Sequence, residues 1–392
     1  MTSSPITTDE PAGAATNAPQ DLPAPMGEPT RLPRIGAGDS VRRALARIVD
    51  GGTLTPAEAQ QAMGDVMDGE ASPAQLAGVL VALRMRGETV DELVGFARAM
   101  RDRAIPVRSP EGAVDTCGTG GDGRGTFNIS TAAALVVAAA GVPVAKHGNR
   151  AITSSAGSAD VLEALGVTVH QSPDEAARAL VDVRFAFLFA PDHHPAMRHA
   201  GPTRREIGIR TAFNLLGPLC NPAGVRRQVV GCAEPAAAHL LAAALQALGA
   251  VRASVVHGDG LDELPLDGSG IIHDVTPDAI RRRRVHLEPL GLHEAAVAEL
   301  AGGSAEENGR LIEQVLRGSR GPRRDVVLLN AAAALSVAGR TRTLAAGVAL
   351  AARTIDSGAG MDLLARLRAR AAAPAMVEPS GPAGPSGHET TR

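Results

Sequence analysis

The sequence predicts an α/β protein in which a small all-helical N-terminal domain precedes a larger α/β domain with a mostly parallel central sheet. Amphipathic helical patterns fill the region from Ser40 to Met100, and apolar strand-like runs alternate with helices after Pro106. Such alternation is typical of a parallel sheet covered by helices. The chain has 392 residues, of which 44% are hydrophobic and 21% charged, and is long enough for two domains with substantial cores.

Four consecutive amphipathic segments predict the helical domain. They read VRRALARIVDG, TPAEAQQAMGDVMDG, SPAQLAGVLVALRMRG and TVDELVGFARAM. The second begins at Thr55-Pro56-Ala57-Glu58, which combines an N-cap hydroxyl, a proline at the first helical position and a glutamate three residues after the cap. Residues 1–38 and 372–392 lack such periodicity and are rich in proline and small residues, so we predict both to be disordered.

Three later segments are predicted to be strands: VTVH (167–170), FAFLFA (185–190) and RASVVHG (252–258). Between the first two, Ser172-Pro173-Asp174-Glu175 has the capping-box pattern of a helix start. Binding sites in parallel sheets lie beyond the carboxyl ends of the strands. The glycine-rich segment after Asp115 and the loop HGDGLDE after Val256 both occupy such positions.

The composition excludes several classes of partner. A net charge of -3, six phenylalanines and no tryptophan or tyrosine leave little to attract or stack nucleic acid. The three cysteines are odd in number and lack metal-ligand spacing, which favours reduced thiols in the cytoplasm. The apolar runs are too short or too interrupted to span a membrane, and the N-terminus lacks a signal-peptide pattern. We therefore predict a cytoplasmic protein without a nucleic-acid or membrane partner.

Five glycines lie between residues 118 and 125, a stretch we call the glycine loop. Gly118, Gly120 and Gly123 match the dinucleotide pattern GxGxxG, but that pattern expects an acidic residue about 20 positions further on, where Lys146 stands instead. A P-loop would need GK[ST], which is missing from this segment. Glycines let backbone N–H groups approach an anion, so we interpret the loop as a site for a sugar phosphate, with a plain flexible turn as the alternative.

Polar side chains follow the glycine loop at the start of the apolar helix AAALVVAAA. We expect Asn128 or Ser130 to cap this helix. One cap needs only one such residue, and the excess predicts that at least two of the group contact the ligand. The group comprises Thr126, Asn128, Ser130 and Thr131.

A basic segment, residues 146–150, follows the strand-like VPVA. Next to a phosphate site, Lys146 is predicted to be a charged phosphate donor, and Asn149 offers both donor and acceptor groups. A solvated basic loop is the alternative.

Further along, Asp262 and Glu263 end the loop after Val256, and paired carboxylates together with substrate phosphates are typical Mg²⁺ ligands. An exposed acidic turn is the alternative there.

The segment FAPDHHPAMRHAGPTRREIGIRTAFNLLGPLCNP carries histidines and arginines without the residues of a zinc site. We interpret His194 as a pocket wall. Of Arg204, Arg205 and Arg210, we expect two on a solvated face and one available to hold a carboxylate bidentately. The run from 281 to 284 is interpreted as a solvated surface.

Taken in order, these motifs identify a family resemblance that runs from about residue 40 to 370. The chain resembles the anthranilate phosphoribosyltransferases of tryptophan biosynthesis. The segments that carry the resemblance are GTGGD (118–122), TFNIST (126–131), KHGNR (146–150), GSADVLEALG (157–166), HPAM (194–197), GIRTAFNLLGPLCNPA (208–223), LDE (261–263) and GGSAEEN (302–308).

The resemblance implies transfer of the 5-phosphoribosyl group of phosphoribosyl pyrophosphate (PRPP) to the nitrogen of anthranilate, with release of pyrophosphate. It implies a helical domain, 39–105, completed by helices within 194–222 and hinged to an α/β phosphoribosyl-binding domain formed by 106–193 and 223–371. It also implies a homodimer that forms through the helical domain. Nucleoside phosphorylase activity on pyrimidines and a non-catalytic nucleic-acid-binding paralogue are the alternatives.

The resemblance also implies a set of site residues. Those for PRPP are Gly118, Gly121, Asp122, Thr126, Asn128, Ser130, Thr131 and Lys146. Those for anthranilate are Gly118, His147, Asn149, His194, Arg204, Gly217 and Pro218. Those for Mg²⁺ are Ser130, Asp262 and Glu263. The chain departs from the family pattern at Ala151 and Ala156, where serine is common, and at Pro265, but no implied ligand is lost.

Overall fold

The computed structural model describes residues 38–151 and 155–372. The predicted disordered ends lie outside these residues, except for Gly38, which precedes the first helix, and Ala372, which ends the last one. Four helices form the N-terminal region, as predicted: α1 (Asp39–Val49), α2 (Pro56–Met67), α3 (Pro73–Arg86) and α4 (Val90–Arg101).

Capping residues define where three of these helices begin. The hydroxyls of Thr55, Ser72 and Thr89 each accept a hydrogen bond from the backbone N–H three residues later, and a Glu or Gln at that later position bonds back to the cap. Helices α2 and α4 then pack closely across Gly95. A Cβ at this glycine would lie only 2.3 Å from the carbonyl oxygen of Pro56, so only glycine permits this close contact.

Helices and strands alternate in the rest of the chain. The strands are β1 (Asp115–Gly118), β2 (Val144–Gly148), β3 (Phe185–Phe189), β4 (Arg227–Gly231), β5 (Arg252–His257), β6 (Ile271–Val275) and β7 (Ile280–Arg284). The helices are α5 (Ile129–Ala139), α6 (Ser158–Ala164), α7 (Pro173–Asp182), α8 (Ala190–His193), α9 (Gly201–Ile207), α10 (Ala212–Leu216), α11 (Pro235–Ala247), α12 (Ala305–Leu316), α13 (Pro322–Val337), α14 (Leu344–Asp356) and α15 (Ala359–Ala372). Short 3₁₀ turns lie at Pro195–His199, Gly217–Leu219, Glu288–Leu290 and Val297–Leu300.

The central sheet is mostly parallel, which confirms the predicted fold class. Five strands lie in the order β1-β4-β5-β6-β7, with β1, β4 and β5 parallel and the β6–β7 hairpin antiparallel at one edge. Strands β2 and β3 form a parallel pair. A parallel bridge between Val114 and Val144 joins this pair to β1. The carboxyl ends of β1, β2, β4 and β5 therefore meet at one edge.

Two of the three predicted strands are confirmed, as β3 and β5, but the prediction for residues 167–170 is wrong. This segment is an irregular connection between α6 and α7. Val167 and Val169 are buried while Thr168 and His170 are exposed. The alternation of apolar and polar residues thus indicates which side chains are buried. Within the described residues, this segment does not pair with a strand.

Apolar side chains form a separate core on each side of the sheet. Val229, Val256 and Ile272 pack with α5 and α13 on one side. Their strand neighbours, Val230 and Val255, pack with α11 and with the N-terminal helices on the other, as expected because successive strand residues point to opposite faces. All the aromatic side chains of the two cores are phenylalanines.

Candidate active site

The carboxyl edge of the sheet brings together motifs that are far apart in the sequence. The glycine loop follows β1, the basic segment lies at the end of β2, and Asp262 and Glu263 follow β5. Four glycines of the loop have positive φ, a backbone conformation that residues other than glycine rarely adopt: Gly120, Gly121, Gly123 and Gly125. The loop therefore depends on glycine for its path, as the phosphate-site interpretation requires.

Two glycines let the loop after β5 lie directly on the ends of β1 and β4. Gly118 and Gly231 are paired in register on these strands. A Cβ on Gly118 would lie 2.4 Å from Asp262 Oδ2, and a Cβ on Gly231 would lie 1.5 Å from the backbone oxygen of Asp262. The Gly120 N–H also donates to Asp262 Oδ2 at 2.9 Å. Sequence analysis missed Gly231, because only the strand register places it beneath Asp262.

Three carboxylates face one another at this point. Asp122, Asp262 and Glu263 each offer an oxygen within 4.8 Å of the others, and we call them the carboxylate cluster. Burial, followed by the charge of neighbouring carboxylates, raises the pKa of Asp262 and raises the pKa of Glu263 further. Three hard oxygen donors whose mutual repulsion a cation would relieve fit Mg²⁺. The structure therefore brings Asp122, which the resemblance implies for PRPP, next to Asp262 and Glu263, two of the three predicted metal ligands.

The start of α5 faces the glycine loop without a side-chain cap. Asn128 is the N-cap residue but makes no capping hydrogen bond, so the prediction that Asn128 or Ser130 caps the helix is wrong. The Asn128 amide instead donates to the Ala156 carbonyl at 3.2 Å and accepts from Asn308 at 2.9 Å. An uncapped helix N-terminus leaves backbone donors available to an anion.

The polar neighbours of Asn128 differ in accessibility. Thr131 is fully buried and its hydroxyl has no hydrogen-bond partner in the described part of the chain, while Ser130 lines a small cleft together with Asp262 and Glu263. Thr126 forms an antiparallel bridge with Ala301. Of the polar group at the helix start, Ser130 is thus the side chain that the fold brings to the carboxylate cluster.

Lys146 lies beneath the glycine loop rather than on its surface. It is 2% exposed, and its ammonium donates to the Thr116 carbonyl and lies 3.5 Å from Ser130 Oγ. Burial lowers the pKa of Lys146, and the charge of Asp115 opposes that shift. Asp115 also accepts from the His147 N–H at 3.1 Å and from the Asn221 amide at 2.8 Å. Asp115 and Asn221, which sequence analysis missed, thus hold this end of β2.

His147 and His194 pack ring against ring and form one wall of the site. Their ring centroids are 5.2 Å apart, and the Nε2 atom of each is buried without a hydrogen-bond partner among the residues that the structure describes. Burial lowers the pKa of His147 to about 3 and that of His194 to about 4. Both rings are therefore neutral near pH 7. His147 also bonds to the backbone of Gly217, which brings the Gly217–Pro218 turn to this wall.

The three arginines near α9 have different environments. The Arg204 guanidinium lies over the Phe213 ring at 4.7 Å and, among the described residues, has no ion pair or hydrogen bond. Burial lowers its pKa. Arg205 is exposed, as expected of the solvated face. Arg210 is partly exposed, but it is more than the solvated side chain that was predicted, because it donates to the carbonyl oxygens of Gly120 and Gly121.

The remaining predicted positions differ in how they relate to the site. Asn149 is exposed at the end of β2, and its side-chain oxygen accepts from the Arg150 N–H at 2.8 Å. The run 281–284 lies in β7 at the sheet edge and is mostly exposed, as predicted. In the described part of the chain, no helix is long and apolar enough to cross a membrane.

Both parts of the fold match domains of one class of transferases. Residues 42–104 match the helical bundle domain, and residues 110–361 the a/b domain, of the glycosyl transferase family. Within that class, the chain belongs to the anthranilate phosphoribosyltransferase family. This agrees with the resemblance inferred from the motifs and favours it over the nucleoside phosphorylase and the nucleic-acid-binding alternatives.

Several relatives define the family membership. The chain is 56% identical to the anthranilate phosphoribosyltransferase of Moorella thermoacetica over 76% of this chain and 89% of that protein. It is similar to the crystal structure of the Thermus thermophilus enzyme, with 46% identity, a TM-score of 0.81 and coverage of 86% of this chain and 100% of that chain. The Saccharomyces cerevisiae enzyme, solved in complex with PRPP and Mg, is 25% identical with a TM-score of 0.78 over 85% and 98% of the two chains.

Proposed function

We propose that this chain transfers the 5-phosphoribosyl group of PRPP to anthranilate, giving N-(5-phosphoribosyl)anthranilate and pyrophosphate, in tryptophan biosynthesis. The observation that carries the proposal is the carboxylate cluster facing the glycine loop and the open start of α5. Anion donors and carboxylates that lie close together in one cleft suit a substrate with a phosphate and a pyrophosphate. The yeast relative's complex with PRPP and Mg supports the same substrate and ion.

PRPP is assigned to the glycine loop and the start of α5. We assign its phosphates to the backbone N–H groups of the loop beyond Gly120 and of the open start of α5, and Lys146 adds a buried positive charge nearby. Gly121, Asp122, Thr126, Asn128 and Thr131 complete the proposed site. Asn128 and Thr131 support the loop from behind, because their side chains are held or buried within the fold.

Mg²⁺ is assigned to the carboxylate cluster and to the Ser130 hydroxyl beside it. When bound, Mg²⁺ neutralises the charge of the departing pyrophosphate. The chain's own contribution is to keep these oxygens fixed before the ion arrives. Gly118 and Gly231 do so by letting the Asp262 backbone rest on the strand ends, and the Gly120 N–H does so by holding the Asp262 carboxylate.

Anthranilate is assigned to the space between the glycine loop and the Gly217–Pro218 turn. Arg204 offers its carboxylate a guanidinium that has no ion pair within the described residues and that packs over the Phe213 ring. His147, His194 and Asn149 line the remaining route. The neutral rings of the two histidines suit the aromatic ring and the uncharged amino group of the substrate, because they can pack against them without introducing a charge.

The proposed reaction needs no strong base. An arylamine is already neutral near pH 7, so its nitrogen can attack the ribose carbon without first losing a proton. The bond to pyrophosphate breaks as the new C–N bond forms, and the amine's extra proton leaves to solvent or to a neighbouring acceptor. Positioning of the two substrates and stabilisation of the departing charge supply the rate enhancement.

We also propose a cytoplasmic homodimer that forms through the helical domain, 39–105 with helices from 194–222. Met85 is 84% exposed on α3, and Val81 lies one turn before it on the same face. Met85→Asp is expected to convert the dimer to monomers in light scattering, whereas Val181→Asp, at an equally apolar exposed site on α7, leaves it intact. A wild-type monomer would contradict the proposal.

The decisive test of the activity is consumption of anthranilate in the presence of PRPP and Mg²⁺. We expect stoichiometric formation of pyrophosphate and no consumption when PRPP, Mg²⁺ or enzyme is omitted. A protein that is folded by circular dichroism but leaves anthranilate unchanged under all these conditions would refute the assignment.

A further inference from the structure

We infer that Arg210 is a positioning residue that fixes the glycine loop for PRPP and ties this loop to the segment that carries Arg204. The inference rests on the proposed function for the identity of the ligand. Its basis is a contact between two parts of the molecule. Arg210 follows α9, whereas the carbonyl oxygens it binds belong to Gly120 and Gly121 beyond β1.

The glycine loop needs such a restraint because most of its residues are glycines, which have no side chain to pack. Gly120, Gly121, Gly123 and Gly125 have positive φ, and glycine loses more conformational freedom than any other residue when it is ordered. A Cβ on Gly120, Gly123 or Gly125 would meet no atom within 4 Å, so close packing does not hold these positions. Contacts from outside the loop must therefore hold it.

Arg210 restrains one side of the loop. One nitrogen of its guanidinium, Nη1, donates to the Gly120 carbonyl and lies 3.3 Å from that of Gly121. Its Nε lies 3.8 Å from Glu234, at the start of α11, which limits where the side chain can go. When the carbonyl groups of the loop are held by hydrogen bonds, the peptide planes are held as well, and the direction of the N–H groups that face a phosphate is restricted.

Arg124 restrains the opposite side. This residue lies within the glycine loop, and its guanidinium donates to the carbonyl oxygens of Asp259 and Gly260. These belong to the loop that carries Asp262 and Glu263. The two arginines thus anchor the glycine loop to the metal-binding loop on one side and to the anthranilate-binding segment on the other.

This arrangement predicts a specific defect. Arg210→Ala is expected to weaken PRPP binding about tenfold, equivalent to about 1.4 kcal/mol, as for the loss of a charge-assisted hydrogen bond. The Michaelis constant for anthranilate at saturating PRPP should change less than about twofold, because Arg204 and Phe213 remain in place. Arg205→Ala is the matched control, since Arg205 lies in the same segment, is exposed and, in the described residues, makes no ion pair or hydrogen bond.

The experiment uses the full chain and measures PRPP binding by calorimetry with Mg²⁺ and without anthranilate, after turnover by the wild-type protein has been established. An inactive wild type would refute the proposed function. An active wild type whose Arg210→Ala variant binds PRPP normally would refute only the positioning role. Melting temperatures of the variants check that they fold.

Two further variants separate positioning from simple charge attraction. Arg210→Lys keeps the charge but loses the planar guanidinium, and we expect it to stay several-fold weaker than wild type at both low and high salt. The double variant Arg124→Ala/Arg210→Ala should lose less than the product of the two single losses, because both residues restrain one loop. Normal binding by Arg210→Lys, with an Arg210→Ala defect that disappears at high salt, would overturn the inference.

Discussion

Substitution of Gly231 by alanine tests how closely the loop that carries Asp262 and Glu263 depends on the strand beneath it. The new Cβ would lie 1.5 Å from the Asp262 backbone oxygen, whereas ordinary contacts begin at 3.4 Å. The two backbones must therefore separate by about 2 Å, more than the displacement of about 1 Å that can already reduce an enzyme's rate about 100-fold. Strand β4 is paired on both sides, with β1 and β5, so the loop is the part expected to move.

We therefore expect Gly231→Ala to reduce the rate at least about 100-fold and to raise the Mg²⁺ concentration needed for half-maximal activity. The assay is the initial rate of anthranilate consumption across a Mg²⁺ titration, with the melting temperature as a check on folding. Gly309→Ala is the control, because Gly309 lies within α12 and its Cβ would make only ordinary contacts, at 3.7 Å, with Ala164 and Leu165. A folded Gly231→Ala enzyme with a normal rate and a normal Mg²⁺ requirement would refute the reasoning.

Three other predictions address separate parts of the site. Asp262→Asn and Glu263→Gln should lower activity mainly through weaker Mg²⁺ binding, so that excess Mg²⁺ restores part of the rate. Arg204→Ala should raise the Michaelis constant for anthranilate about 10- to 150-fold, the equivalent of about 1.5–3 kcal/mol, while Lys146→Ala should act mainly on PRPP. His194→Gln should make the free energy of unfolding less dependent on pH between about 4 and 6.5, as measured by urea denaturation.

The sign of the last effect follows from the low folded-state pKa of His194. Above pH 6.5 the ring is neutral in both states, so its contribution to stability is complete. As the pH falls towards 4, the unfolded chain gains the proton first, and stability is lost by up to about 1.4 kcal/mol per pH unit. An unchanged pH dependence of stability in His194→Gln would contradict this prediction. An unchanged Mg²⁺ dependence in Asp262→Asn and Glu263→Gln would contradict the first, and identical effects of Arg204→Ala and Lys146→Ala on both substrates would contradict the second.

The helical domain was predictable because its signals are local. Thr55, Ser72 and Thr89 each lie three residues before a Glu or Gln, and each caps a helix in the structure. The segment 167–170 was not predictable in the same way. Alternating burial is visible in one segment, whereas a strand also needs a partner, and the partner lies elsewhere in the chain.

In the candidate site, too, the local features were predictable and the long-range contacts were not. The loops at the carboxyl ends of β1, β2 and β5 could be assigned from sequence, since parallel strands place such loops together. Asp115, Gly231 and the contact made by Arg210 could not, because each acts through a partner that is distant in the sequence: Asn221, Asp262 and Gly120, respectively. Such contacts depend on strand register and side-chain direction, and these are set only when the sheet assembles.

The phenylalanine-only aromatic content of the two cores has a spectroscopic consequence. Without indole or phenol groups, the protein scarcely absorbs at the wavelengths used to quantify most proteins and has no tryptophan emission to report its unfolding. Its concentration must therefore be measured by another method, such as amino-acid analysis. For the same reason, the protein adds no tryptophan or tyrosine fluorescence to that of a bound aminobenzoate. Binding of anthranilate at the proposed site beside Phe213 could therefore be followed by the fluorescence of anthranilate itself, without a label.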